Sequence, residues 1–173
     1  MKRIHELLND KPSDSLAIID FDGSEYSYFK LKEMSSLLAK KLIKHGVLGG
    51  DRVVLVSENS AMYAAAVFAL SEINAWSVLV NARQSIKELT TIIKHSKAKC
   101  VLFTTVSSKD AKIHADFLKA ITIGKIDCGP IVCTEINEQQ PEEVINNGEQ
   151  VATLLYTTGT TNEPKGVMLT HKI

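Results

Sequence analysis

Apolar and polar positions alternate along the chain with two different periods, and the switches between them predict the elements. Leu16–Asp20 and Glu25–Tyr28 flank the turn pair Asp22-Gly23, which predicts a small hairpin. The spacing then lengthens to that of a helix. Leu31, Met34, Leu38 and Leu42 fall on one face, with Ser27 placed to cap the start and Gly46 to close the end. The lysines at 30, 32, 40, 41 and 44 form a solvated opposite face. Arg52–Val56 (RVVLV) is an unbroken apolar run, as expected of a strand covered on both faces. Asn59 and Ser60 can cap the next helix, Ala61 to about Ile73, which is apolar nearly all round and should lie between layers.

Trp76–Val80 predicts a second buried strand, and Ser85-Ile86-Lys87-Glu88 is a capping box that opens a helix with Ile86, Leu89, Ile92 and Ile93 inward. Cys100–Thr104 predicts the third core strand. A weaker helix over about Ser108–Ala120 carries Ile113, Phe117 and Ala120 on one side, and Ile131–Cys133 reads as a short strand. Thr134–Gln150 is polar, with Pro141 and Asn146-Asn147-Gly148, and predicts a loop; Val151–Tyr156 is a final buried strand. Strands alternating with helical patterns predict an α/β fold rich in parallel sheet. No internal repeat or low-complexity tract interrupts this pattern.

Composition narrows the picture. The 173 residues, 45% hydrophobic and 23% charged, suit one globular domain or slightly more, with a core that needs neither disulfide nor metal. Twenty basic residues balance twenty acidic ones, so no global field favours nucleic acid or an anionic membrane, and near-zero charge favours self-association. Three cysteines (100, 128 and 133) without a CxxC pattern suit reduced thiols, although Cys128 and Cys133 lie within reach of each other. The N-terminal stretch lacks an apolar core for a secretory signal. The longest apolar run, Ala61–Leu70, is half of the roughly 20 residues that span a bilayer. A cytoplasmic location is therefore expected. The five histidines have no metal-ligand spacing: His45 and His95 suit helix C-termini, and His171 suits a structural role. Asp20 and Asp22 suit the turn beside Gly23, while Tyr63 and Trp76 suit the core.

Candidate chemistry concentrates in Tyr156-Thr157-Thr158-Gly159-Thr160-Thr161-Asn162-Glu163-Pro164-Lys165-Gly166-Val167, directly after the last strand. Gly159 and Gly166 are expected to open backbone conformations that let successive N–H groups converge on an anion. Thr157, Thr158, Thr160 and Thr161 supply hydroxyls, Lys165 a mobile positive charge, and Pro164 a stiff turn. The string is not a Walker A loop, because Lys165 precedes Gly166 and the β-prone Val-Met-Leu follows instead of a helix. Hydroxyls and the lysine must therefore do work that a helix dipole does elsewhere.

The string YTTGTTNEPKGVMLTH closely resembles the phosphate-loop signature YTSGTTGxPKGVxxTH of AMP-forming adenylating enzymes: acyl-CoA synthetases, peptide-synthetase adenylation domains and luciferases. SEYSYFKLKEMSSLLAKKL, GVLGGDRVVLVSENS and NARQSIKELTTIIKHSKAKCVLF resemble further family stretches in the same order, so the likeness covers essentially the whole chain. Thr158 stands where serine is usual, Asn162 where glycine is usual, Val80 where leucine is usual and Ala82 where proline is usual.

The resemblance implies a parallel-sheet-rich layered subdomain of the adenylate-forming N-terminal domain. Residues 1–173 would be its N-terminal part, divided into a hairpin (16–28), an α/β core (29–156) and a phosphate loop (157–166). It implies that Thr157, Thr158, Gly159, Thr160, Thr161 and Lys165 cradle the phosphates of ATP, with Gly166 permitting the shape. ATP with Mg²⁺ and coenzyme A or a carrier thiol would serve the parent enzyme, a carboxylic acid:CoA ligase. The Mg²⁺ ligands, the acyl pocket and the C-terminal catalytic domain are expected beyond residue 173. The chain alone is then expected to be inactive and to self-associate. Two alternatives stand beside this: a nucleotide-binding or regulatory lobe of a split or decayed gene, and a flavodoxin-like interaction module without nucleotide.

Overall fold

The computed structural model describes residues 2–144, 149–157 and 164–172. After a short 3-10 helix (Ile4–Asp10), strands β1 (Leu16–Ile19) and β2 (Glu25–Ser27) form a separate antiparallel hairpin. Its turn is tied by the Asp22 carboxylate, which accepts from the Ser24 N–H at 2.9 Å. The remaining elements follow as α1 (Tyr28–His45), β3 (Arg52–Ser57), α2 (Ala61–Glu72), β4 (Trp76–Asn81), α3 (Ile86–Ser96), β5 (Cys100–Phe103) and α4 (Lys109–Phe117). Strands β6 (Ile121–Ile126), β7 (Gly129–Cys133), β8 (Val151–Thr157) and β9 (Lys165–Thr170) complete the order.

Among the described residues, seven strands form one sheet in the order β6-β7-β5-β3-β4-β8-β9. The four inner strands, β5, β3, β4 and β8, run parallel; β7 and β9 are antiparallel to their inner neighbours, and β6 to β7. Period-two side-chain alternation divides the core in two. Val53 and Leu55 of β3 join α1 and α2 on one face, whereas Val54 and Val56 join α3 and α4 on the other. Cross-strand hydroxyl pairs, Ser57–Thr104 and Ser77–Thr153, both at 2.8 Å, satisfy buried polar side chains within these layers.

Helix boundaries follow the expected chemistry. The Ser27, Ser60, Ser85 and Ser108 hydroxyls each accept from a first-turn N–H, and Ser85 with Glu88 completes the capping box. Gly46 closes α1 at φ 108°. At the opposite end of the central strands, the segment around Glu142 folds over the tight turn before β3. The Glu142 N–H donates to the Gly50 carbonyl at 3.0 Å, and its carboxylate meets Arg52 at 2.8 Å. Arg52 in turn lies over the Trp76 ring, 5.7 Å from its centroid.

Three sequence expectations need correction. In α4, Ile113 and Phe117 are 62% and 63% exposed; the helix seats Ala111, His114 and Ala115 instead, whose small side chains allow close approach to the sheet. Ile121–Ile126, for which no strand was expected, pairs with β7 and extends the sheet outward. Trp76 is only partly buried: it packs against the rim of the core on the α3 and α4 side, with Arg52 over its ring.

Candidate functional site

Strand β8 leads the chemistry-bearing string out of the sheet. It pairs in parallel with β4 (Ser77↔Thr153, Val78↔Leu154, Leu79↔Leu155), so Asn81 and Thr157 reach the same carboxyl edge. Open α/β sheets place ligands outside this edge. The chain then returns antiparallel as β9, with Tyr156↔Gly166 and Thr157↔Lys165 in register. This hairpin brings the backbones of Thr157 and Lys165 opposite each other at the mouth of the loop. Lys165 is exposed. Thr158, Gly159, Thr160 and Thr161 lie outside the described residues.

Gly166 has a different reason for being glycine than the backbone freedom expected from sequence, since it is not among the glycines with positive φ. A Cβ built there would come within 3.2 Å of the Tyr156 ring. The glycine therefore leaves room for that ring across the hairpin. Tyr156 is anchored from the other side by His95, in the last turn of α3: the His95 Nδ1 and Tyr156 hydroxyl are 2.8 Å apart, and the rings meet edge-on at 5.6 Å. Burial pushes the Tyr156 phenol above its ordinary pKa. Sequence reading gave His95 a helix-dipole role and did not connect it to the loop. The signal would have been a pair of residues 61 positions apart, which no local pattern encodes.

At the same edge, a polar crevice of about 360 Å³ opens between the ends of β3 and β4. Its charged wall is an ion pair in which Arg83 Nη2 meets Glu58 Oε1 at 2.8 Å. The Asn81 side chain accepts from the Arg83 N–H at 2.9 Å and shapes the rim. A hydrogen bond from Ser108, followed by the Arg83 interaction, holds the Glu58 carboxyl below its ordinary pKa. Beneath this rim the buried His114 Nε2 lies 3.0 Å from both the Ala82 and Gln84 carbonyls, which fixes the turn from β4 into α3. Among the described residues, no group of three or more His, Cys, Asp or Glu is arranged to hold a metal ion. The described residues therefore offer no carboxylate cluster for Mg²⁺. Among the described residues no helix is long and apolar enough to cross a membrane.

Comparison with known proteins places this edge in context. The family described as "AMP-binding enzyme" matches residues 5–172. 4-Coumarate–CoA ligase 1 of Petroselinum crispum is 33% identical over 156 residues, which are 87% of this chain and 28% of that ligase. The hybrid PKS-NRPS synthetase fsa1 of Fusarium sp. (strain FN080326) is 30% identical over 173 residues, 98% of this chain and 4% of that protein. In structure, the chain is similar to the inhibitor-bound N-terminal domain of FACL13 from Mycobacterium tuberculosis, with a TM-score of 0.76 and 21% identity. That match covers 99% of this chain and 45% of the FACL13 chain. The sequence thus spans under a third of the curated relatives it matches. With the family match running along nearly all of its length, the chain belongs to the AMP-binding enzyme family and has the fold of the N-terminal domain of adenylate-forming enzymes.

Proposed function

We propose that this chain is the N-terminal part of the large domain of an ATP-dependent carboxylic acid:CoA ligase. In this reading the hairpin between β8 and β9 grips the departing phosphates of ATP. The observation that carries it is the ordered string from Tyr156 to Val167 at the carboxyl edge of β8, opposite the lysine-bearing start of β9. Similarity to CoA ligases over most of the chain supports the same reading.

Adenylation attacks the α-phosphate with a carboxylate oxygen and expels pyrophosphate, so charge builds on the β- and γ-phosphates as the bond breaks. Lys165 would place a positive charge there, and the Thr157, Thr158, Thr160 and Thr161 hydroxyls with the Gly159 backbone would complete the cradle. Gly166 would serve by letting Tyr156 pack beneath the loop. The acyl group would then pass to coenzyme A or a carrier thiol through residues outside this sequence, and the site of action would be cytoplasmic.

Isothermal titration of ATP into the purified chain tests the cradle. Weak binding is expected, lowered roughly 10- to 100-fold in Lys165→Ala, the loss of about 1.5–3 kcal/mol for a hydrogen bond to a charged group. Equal binding by both proteins would refute the assignment. No ATP–pyrophosphate exchange is expected from residues 1–173 alone, and detectable exchange would overturn that part. Continuation of the reading frame past codon 173 would favour the ligase over a separate nucleotide-binding lobe.

Self-association is a second expectation. Among the described residues strand β9 forms one edge of the sheet, and Val167, Met168 and Leu169 lie exposed along it, Met168 to 61%. Such a strand offers both apolar surface and unpaired backbone groups. Sedimentation velocity is expected to show a mass that rises with concentration; a constant monomer would count against it.

A further inference from the structure

The N-terminal segment is held to the body of the protein by several contacts, one of them to a buried histidine. His171 directly follows β9, and its N–H donates to the Gln150 carbonyl at 3.0 Å, closing the base of the β8–β9 hairpin. Its side chain is fully buried. The Ile4 N–H donates to His171 Nδ1 at 3.2 Å. Nearby, the His5 N–H donates to the Ser71 hydroxyl at 3.3 Å, the His5 ring lies 2.9 Å from that same hydroxyl, and Arg3 donates to the Asn74 side chain. Leu8 adds a buried apolar anchor.

The bond from Ile4 fixes the protonation state of His171. A backbone N–H is only a donor, so Nδ1 must be the bare nitrogen and the proton must sit on Nε2. Nε2 is itself buried with no partner among the described residues. Adding a proton at Nδ1 would set two donors face to face and break the Ile4 bond, inside a site whose described residues offer the imidazolium no acceptor on its other nitrogen.

We propose that His171 and residues Arg3–Leu8 form an acid-released latch, in which protonation of His171 at Nδ1 undocks the N-terminal segment from α2 and the base of the β8–β9 hairpin. The charged and titratable groups that face it are Arg3, His5 and Glu6 on the segment and Glu72 at the end of α2. Burial, followed by Arg3 and His5, lowers the His171 pKa, with Glu6 opposing; burial and then Arg3 lower that of His5. A histidine with a lowered pKa keeps its full contribution to the docked state above the ordinary value of 6.5, and loses it as pH falls below that value, because the released form takes the proton first. The latch stands apart from the ligase reading and holds or fails without it.

Amide hydrogen exchange on the whole chain, corrected for intrinsic rates, tests it at pH 7 and about pH 5. Protection at Ile4–Leu8 is expected to fall at the lower pH, while β3 amides stay protected. In His171→Asn a side-chain oxygen can accept from Ile4 without titrating, so its loss of protection on acidification is expected to be clearly smaller than in wild type, with only the share carried by His5 remaining. Equal acid loss in wild type and His171→Asn, or no loss in wild type, overturns the latch. Nitrogen-15 shifts of the wild-type imidazole decide independently, should the variant fail to fold. A bare Nδ1 persisting below pH 6.5 supports the latch, and a proton on Nδ1 at neutral pH overturns it.

Discussion

Gly50→Ala is expected to destabilise the protein by about 2–5 kcal/mol, from about 1–2 kcal/mol of left-handed backbone strain and about 1–3 kcal/mol of overpacking. Gly50 has φ +83°, and a Cβ built on it would stand 1.9 Å from the Glu142 carbonyl oxygen. The obstacle is backbone, so no rotamer change relieves it. That backbone is held by the Glu142 N–H bond to Gly50 and by the Arg52 ion pair. Gly23 supplies the control: its φ is +85°, yet nothing lies within 4 Å of its would-be Cβ. Urea unfolding of both alanine variants separates conformational strain from collision. A Gly50→Ala midpoint no lower than that of Gly23→Ala would refute the collision.

Phe103→Ala should be comparably severe, at about 3–5 kcal/mol, because a fully buried aromatic leaves a cavity that the sheet cannot close. Phe103 sits in β5, between β3 and β7, with its side chain in the cluster beneath α3 and α4. Phe117→Ala removes the same atoms from the outer face of α4 and should stay within about 0.5 kcal/mol. Chemical denaturation of the two variants side by side checks the contrast. A large loss at Phe117 would mean that its exposed ring is covered by a partner in solution.

That pair of phenylalanines also marks where the sequence was legible. Strands β3, β4 and β5 announced themselves as apolar runs because both of their faces are covered, and serine caps fixed the helix starts by local hydrogen bonding that neighbouring residues determine. Helix α4 misled because its largest apolar side chains point outward, while its inward face is made of alanines and a histidine bonded to carbonyls 32 and 30 positions away. Strand β6 was invisible because Gly124 and Lys125 break its alternation, and its pairing with β7 supplies what local pattern did not. At the candidate site, the hairpin that presents Lys165 followed from the β-prone residues on either side of the string. The packing of Gly166 against Tyr156, and of Tyr156 against His95, depends on tertiary neighbours that a motif does not contain.

The strand order has a consequence for how the protein is made. Strand β4 occupies the sheet interior, yet its outer neighbour arrives late: Ser77 meets Thr153, 76 positions further along. A ribosome adding about 5–20 residues per second delivers that partner roughly 4–15 s after β4 has been synthesised. Throughout that interval Ser77-Val78-Leu79-Val80 presents an open, apolar edge to solvent, with only β3 beside it. Productive folding of the nascent chain therefore depends on keeping that edge unpaired until β8 is synthesised, and the wait for β8 is where a chaperone would have most to protect.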